Sequence, residues 1–64
     1  MKKNKLLEIR KEKGLSQKEV AEKAKICIRN YQNYEYGKAL PKVEIALKLA
    51  EILEKSVEEI FKEE

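Results

Sequence analysis

The sequence predicts an all-α fold, a compact bundle of five short helices. Apolar residues recur at three- and four-residue spacing along nearly the whole chain, and no stretch alternates apolar and polar residues as a half-buried strand would. Helix-start and helix-stop residues punctuate the pattern at each break. With 64 residues there is room for one small domain, taken as residues 1–64 with its core over about 4–62. A core that small rarely stabilises a fold by more than about 3–5 kcal/mol, so self-association would be an advantage.

Helix one is expected over about residues 4–13. Leu6, Ile9 and Lys13 are spaced like one helical face, Lys11, Glu12 and Lys13 are solvated, and Gly14 closes the segment as a left-handed cap. Ser16 to Glu19 is a capping box, in which hydroxyl and carboxylate satisfy each other's orphan amides, and Val20, Ala21 and Ala24 form the inward stripe of helix two, about 17–24. Lys25 and Ile26 break the pattern, and helix three runs over about 28–36 until Gly37, which tolerates positive φ. Leu40 and Pro41 mark a loop, because proline disfavours helix at the residue before it. The stretch from Val43 to Leu53 is helical throughout and apolar around more than half its circumference, so it is expected to be the most buried element. Ser56 and Glu59 form a second capping box, opening a short helix whose Val57, Ile60 and Phe61 close the core. Met1–Lys3 and Lys62–Glu64 are expected to fray.

Composition excludes several classes of function. A single cysteine rules out an internal disulfide, and the absence of histidine and of a second cysteine removes any plausible zinc set. There is also no aspartate and no phosphate-binding glycine loop, and the glutamates are spread along solvated helix faces, so no enzyme and no cofactor are expected. No run approaches the roughly 20 apolar residues of a membrane span, and the lysine-rich start lacks the apolar stretch of a signal sequence. The expected location is the cytoplasm. With the sequence ending after the fifth helix, no effector-binding domain and no small-molecule ligand are expected.

Charge is segregated along the chain. The net charge is +3 overall, but residues 1–42 carry 12 Lys/Arg against 5 Glu, whereas residues 43–64 carry 3 Lys against 7 Glu. A basic front half suits phosphate, although lysine-rich surfaces also serve plain solubility. Between Ser16 and Gly37 two short helices are separated by a tight break, and the second carries an uncharged polar and aromatic set. A helix held out by a partner at a steep angle is a common reader of base edges in the DNA major groove. On a wheel of about 100° per residue, Cys27, Tyr31 and Tyr34 cluster on one side, Arg29, Gln32, Asn33 and Tyr36 cluster opposite, and Ile28 lies on the border.

The motifs in order are Leu6-x-x-Ile9-Arg10-x-x-x-Gly14-Leu15-Ser16-Gln17-x-Glu19-Val20-Ala21, then Tyr34-Glu35-x-Gly37-Lys38-x-x-Pro41, then Ala46-Leu47-x-Leu49-Ala50 and Val57-x-x-Ile60-Phe61. From Leu6 to Phe61 the chain resembles the phage repressor/Cro-type (XRE-like) helix-turn-helix family, whose members are lambda-repressor-like five-helix DNA-binding domains. The resemblance implies a helix-turn-helix over about 16–37 with helix three in the groove. It further implies a repressor-like transcriptional regulator that binds double-stranded DNA as a homodimer.

Within that frame the expected base contacts are Ile28, Arg29, Gln32 and Asn33, since arginine pairs bidentately with guanine, Asn or Gln with adenine, and an apolar side chain meets the thymine methyl. Expected DNA-backbone contacts are Gln17, Asn30, Tyr36, Lys38 and Lys42, the last beside the amino end of helix four. The family often pairs an arginine of helix one with a glutamate at the end of helix three, which singles out Arg10 and, on the flank of helix three, Glu35 as a structural ion pair fixing that helix's pose. Three positions depart from the family pattern. Lys25 stands where glycine is usual and is expected to adopt positive φ at a cost of about 1 kcal/mol. Cys27 replaces a Ser/Thr cap and is expected to be a small buried residue, with redox sensing as the alternative. Tyr31 and Tyr34 replace aliphatic residues and are expected to be core aromatics whose hydroxyls reach the rim, with stacking on unpaired bases as the alternative. A second reading of the whole chain is a protein-interaction module, an antitoxin or adaptor on the same fold using apolar surface on helices four and five; the apolar surplus at Leu7, Ile45 and Ile52 suits either dimer contact or a heterologous partner.

Overall fold

The computed structural model describes residues 4–61, and in them five helices follow one another with no strand: α1 (Leu6–Glu12), α2 (Gln17–Ala24), α3 (Ile28–Glu35), α4 (Val43–Leu53) and α5 (Val57–Phe61). The expected fraying of Met1–Lys3 and Lys62–Glu64 lies outside the described residues. The main packing partners are α2 with α3, α2 with α4, α4 with α5, and α1 with α5. Leu6, Val20, Ala24, Tyr31, Leu49, Leu53 and Ile60 are fully enclosed at the centre, so every helix gives at least one side chain to one core.

Both capping boxes form. The Glu19 amide donates to Ser16 Oγ (3.0 Å) while the Ser16 amide donates to Glu19 Oε1 (2.9 Å), and Ser56 and Glu59 repeat the exchange at 3.1 Å each way. Four helices end alike, with an amide reaching back to a carbonyl five residues earlier. These bonds are Leu15 to Arg10, Ile26 to Ala21, Lys38 to Asn33 and Lys55 to Ala50. This closure needs a left-handed residue at its bend. Gly14 and Gly37 supply it at φ 71° and 77°, whereas Lys25 (φ 60°) and Glu54 (φ 57°) adopt it with a Cβ.

Helix one starts two residues later than expected and helix three stops one earlier. Asn4 is buried outside α1, where its Oδ1 accepts from the Leu6 amide (2.9 Å), and the Lys5 amide leaves the helix to donate to the Ile60 carbonyl (2.8 Å). Lys13 is solvated as expected, exposed at the end of α1, where its ammonium pairs with Glu54 at the end of α4. The fourth helix is less enclosed than its composition suggests. It buries Ala46, Leu49 and Leu53, yet Val43 and Leu47 remain 74% and 57% exposed because α2 and α5 cover only one of its sides. Leu7, Ile45 and Ile52 are half-buried, the last two against the core, so the apolar surplus sits elsewhere, at Leu40, Val43 and Leu47.

Candidate nucleic-acid interface

Helix α3 is anchored from beneath by Tyr31 and Glu35, one turn apart on its inner face and both buried. Glu35 is therefore not on the flank of the helix. Its Oε1 accepts from Arg10 Nε (2.8 Å) and from the Tyr31 hydroxyl (2.8 Å), and its Oε2 accepts from Gln17 Nε2 (2.7 Å). Arg10 also donates from Nη1 to the Leu15 carbonyl (2.8 Å), which ties the loop between α1 and α2 to the same cluster. Burial pushes the Glu35 carboxyl up, but the three donors outweigh it and hold it below its ordinary value. The Tyr31 hydroxyl is pushed up, by burial first and then by the carboxylate it serves. Among the described residues no buried polar side-chain atom lacks a partner.

This cluster reaches the outer surface through a directed chain of amides. A carboxylate can only accept, so Gln17 must turn its nitrogen towards Glu35 and its oxygen away. That oxygen accepts from Gln32 Nε2 (3.1 Å), which leaves the oxygen and the second N–H of the half-buried Gln32 outside this chain of bonds. Gln17 Nε2 also donates to the Tyr36 hydroxyl (3.2 Å). The structure thus joins Arg10, Gln17, Gln32, Glu35 and Tyr36, five residues singled out in the sequence for three separate roles.

The remaining candidates are spread over α3 and the segments that follow it. Ile28, Arg29, Asn30 and Tyr36 are exposed, and Asn33 is half-buried. Lys38 and Lys42 are exposed, Lys38 where its amide closes the end of α3 and Lys42 as the residue before α4. Tyr34 is half-buried against the core. Tyr31 is fully enclosed, its hydroxyl spent on Glu35, so it neither reaches the rim nor has a face free for a base. Cys27 corrects the expectation of burial: it is exposed, sits before α3 in extended conformation, and makes no side-chain cap. A cap position lies ahead of the helix's first turn, where the wheel that grouped it with Tyr31 and Tyr34 no longer applies.

One residue that supports α3 was missed in the sequence. Asn4 Nδ2 donates to the Tyr34 carbonyl (2.7 Å), at the end of α3, from a position thirty residues away. The signal available was an asparagine two residues before an apolar helical run, which points to a cap but not to α3.

Among the described residues no helix is long and apolar enough to cross a membrane, and no group of metal-binding side chains assembles. Comparison with protein families matches residues 6–60 to a helix-turn-helix family model. Comparison with curated proteins returns no match.

Proposed function

The chain belongs to the Cro/C1-type (XRE-like) helix-turn-helix family, a family of DNA-binding regulators rather than enzymes, and from that premise we propose that it is a sequence-specific, repressor-like regulator. In this reading α3 enters the major groove of a pseudo-palindromic operator, and a homodimer spans two half-sites about one helical turn, roughly 34 Å, apart. The observation that carries the reading is the set Ile28, Arg29, Gln32 and Asn33 on a helix locked from behind through Glu35 and Gln17. A rigid donor and acceptor array is what base readout needs, because a mobile amide pairs equally well with water.

Each side chain has a role in this scheme. Arg29 pairs with guanine, and Ile28 meets a thymine methyl. Gln32, with its remaining oxygen and N–H, matches the N6 and N7 of adenine, and Asn33 offers the same pair one position on. Asn30, Tyr36, Lys38 and Lys42 hold the sugar-phosphate backbone, together with the free amides at the start of α4, whereas the side chain of Gln17, spent on Glu35, Tyr36 and Gln32, positions α3 instead of contacting phosphate.

Selection of a consensus duplex from random DNA by the purified protein tests this. A recovered consensus should bind Arg29→Ala more weakly by about 1–3 kcal/mol, while random DNA is bound almost as before. Equal losses on both would reduce Arg29 to a phosphate contact. If a dimer neutralises about six phosphates, log K against log salt should have a slope near −5. A flat salt response with no consensus, and one protein captured in its place, would favour the interaction-module reading.

A further inference from the structure

An open groove of about 390 Å³ runs between the loop before α4, the exposed side of α4 and α5, and its lining is almost wholly apolar: Leu40, Val43, Ala46, Leu47, Val57 and Phe61. Leu40 and Val43 are 80% and 74% exposed, which is far from the enclosure such residues find in a core. The groove continues into a stripe on α4 in which Val43 and Leu47 lie one turn apart on one flank, and Glu44 and Lys48 lie one turn apart on the other. That arrangement is self-complementary. When two copies of a helix pack antiparallel about a two-fold axis, like flanks meet and residues one turn apart exchange partners. Val43 then meets Leu47 of the second copy, and Glu44 meets Lys48 of the second copy, each contact made twice. Glu51, one turn further along, comes opposite the amino end of the second α4, where helix dipole and exposed amides favour a negative charge.

We propose that the α4 stripe and its adjoining groove are the surface on which a second copy of this chain docks, α4 against α4 in antiparallel orientation. The opposite-charge pairs select that orientation, as flanking charges do in paired helices, and the apolar side chains supply the burial. The inference gives a surface to the dimeric part of the function proposed above, but it does not require that DNA be the ligand.

Sedimentation of the full chain without DNA tests it. The 7.5 kDa species should convert to one of twice the mass as concentration rises to about millimolar, and Leu47→Glu should weaken that association by about tenfold or more. The charge variants address the orientation. Glu44→Lys and Lys48→Glu should each lose self-association, because each sets like charges opposite in its own dimer, whereas an equimolar mixture should associate at least as tightly as the parent. An effect confined within one helix cannot produce that rescue. A chain that stays at 7.5 kDa up to about millimolar leaves the groove to another occupant and overturns the proposal, as does a mixture no tighter than its components. Since DNA is absent throughout, neither result bears on duplex selection, and a failed selection leaves this measurement standing.

Discussion

Asn4 and Glu35 carry structural weight out of proportion to their number, because each joins parts of the chain that are distant in sequence. Asn4 serves the Leu6 amide with its oxygen and the Tyr34 carbonyl with its nitrogen. Asn4→Asp keeps the first bond and loses the second, so it should cost about 1–3 kcal/mol in urea unfolding, and Asn4→Ala, which loses both, should cost more. An aspartate variant as stable as the parent would show that the tie to α3 contributes nothing. For Glu35 the side chain is 1% exposed and that of Arg10 is 12%, so removing either partner strands a charge in a poorly solvated site. Such losses run to about 3–5 kcal/mol, comparable to the whole stability of a domain this size. Glu35→Ala and Arg10→Ala should therefore both lack a cooperative thermal transition. A double-mutant cycle in a stabilised background should give a coupling well above the few tenths of a kcal/mol found for unconnected sites.

Helix ends decide the geometry at the element scale. Three- and four-residue periodicity predicted all five helices, and the serine and glutamate boxes marked where α2 and α5 begin, because a cap depends on neighbours only three residues away. The left-handed bend was legible at Gly14 and Gly37, and at Lys25 through its position in the turn. At Glu54 it was not, since nothing local marks a glutamate for positive φ. Lys25→Gly should raise stability by about 1 kcal/mol by removing the Cβ penalty. Glu54→Gly should gain less, because it also gives up the exposed pair with Lys13, worth about 0–1 kcal/mol. Chemical denaturation of the two variants side by side checks both values. Cys27 shows the limit of wheel arguments at such ends: one residue outside the helix, the direction of a side chain follows the cap rather than the period.

At the scale of the whole molecule the dominant variable is charge. Several carboxylates are held below their ordinary range, Glu35 by Arg10, Gln17 and Tyr31 against the opposing effect of burial, Glu19 and Glu59 by their capping serines, and Glu54 by Lys13. A group whose folded pKa lies below its unfolded value stabilises the fold above the unfolded value and loses that contribution as pH falls through the folded one. Urea midpoints should thus be steady near neutrality and drop below about pH 4.5, a decline that follows the carboxylates and not the lysines. An acid-insensitive midpoint would mean that these bonds do not form in solution. The apolar excess of α4 was legible in the sequence, but its direction was not. Ile45 and Ile52 looked surplus and turned inward, while Leu40, Val43 and Leu47 stayed outside. The amide chain from Glu35 through Gln17 to Gln32 was likewise invisible, although each member had been singled out. Helix positions to within a residue or two, the serine and glutamate caps and the family pattern follow from interactions within a few residues, and for this chain the order of amino acids is enough to place them. Which polar groups meet across α1, α2 and α3, and which side of α4 is left uncovered, depends on how helices distant in sequence pack on one core, and that is decided only when the core closes.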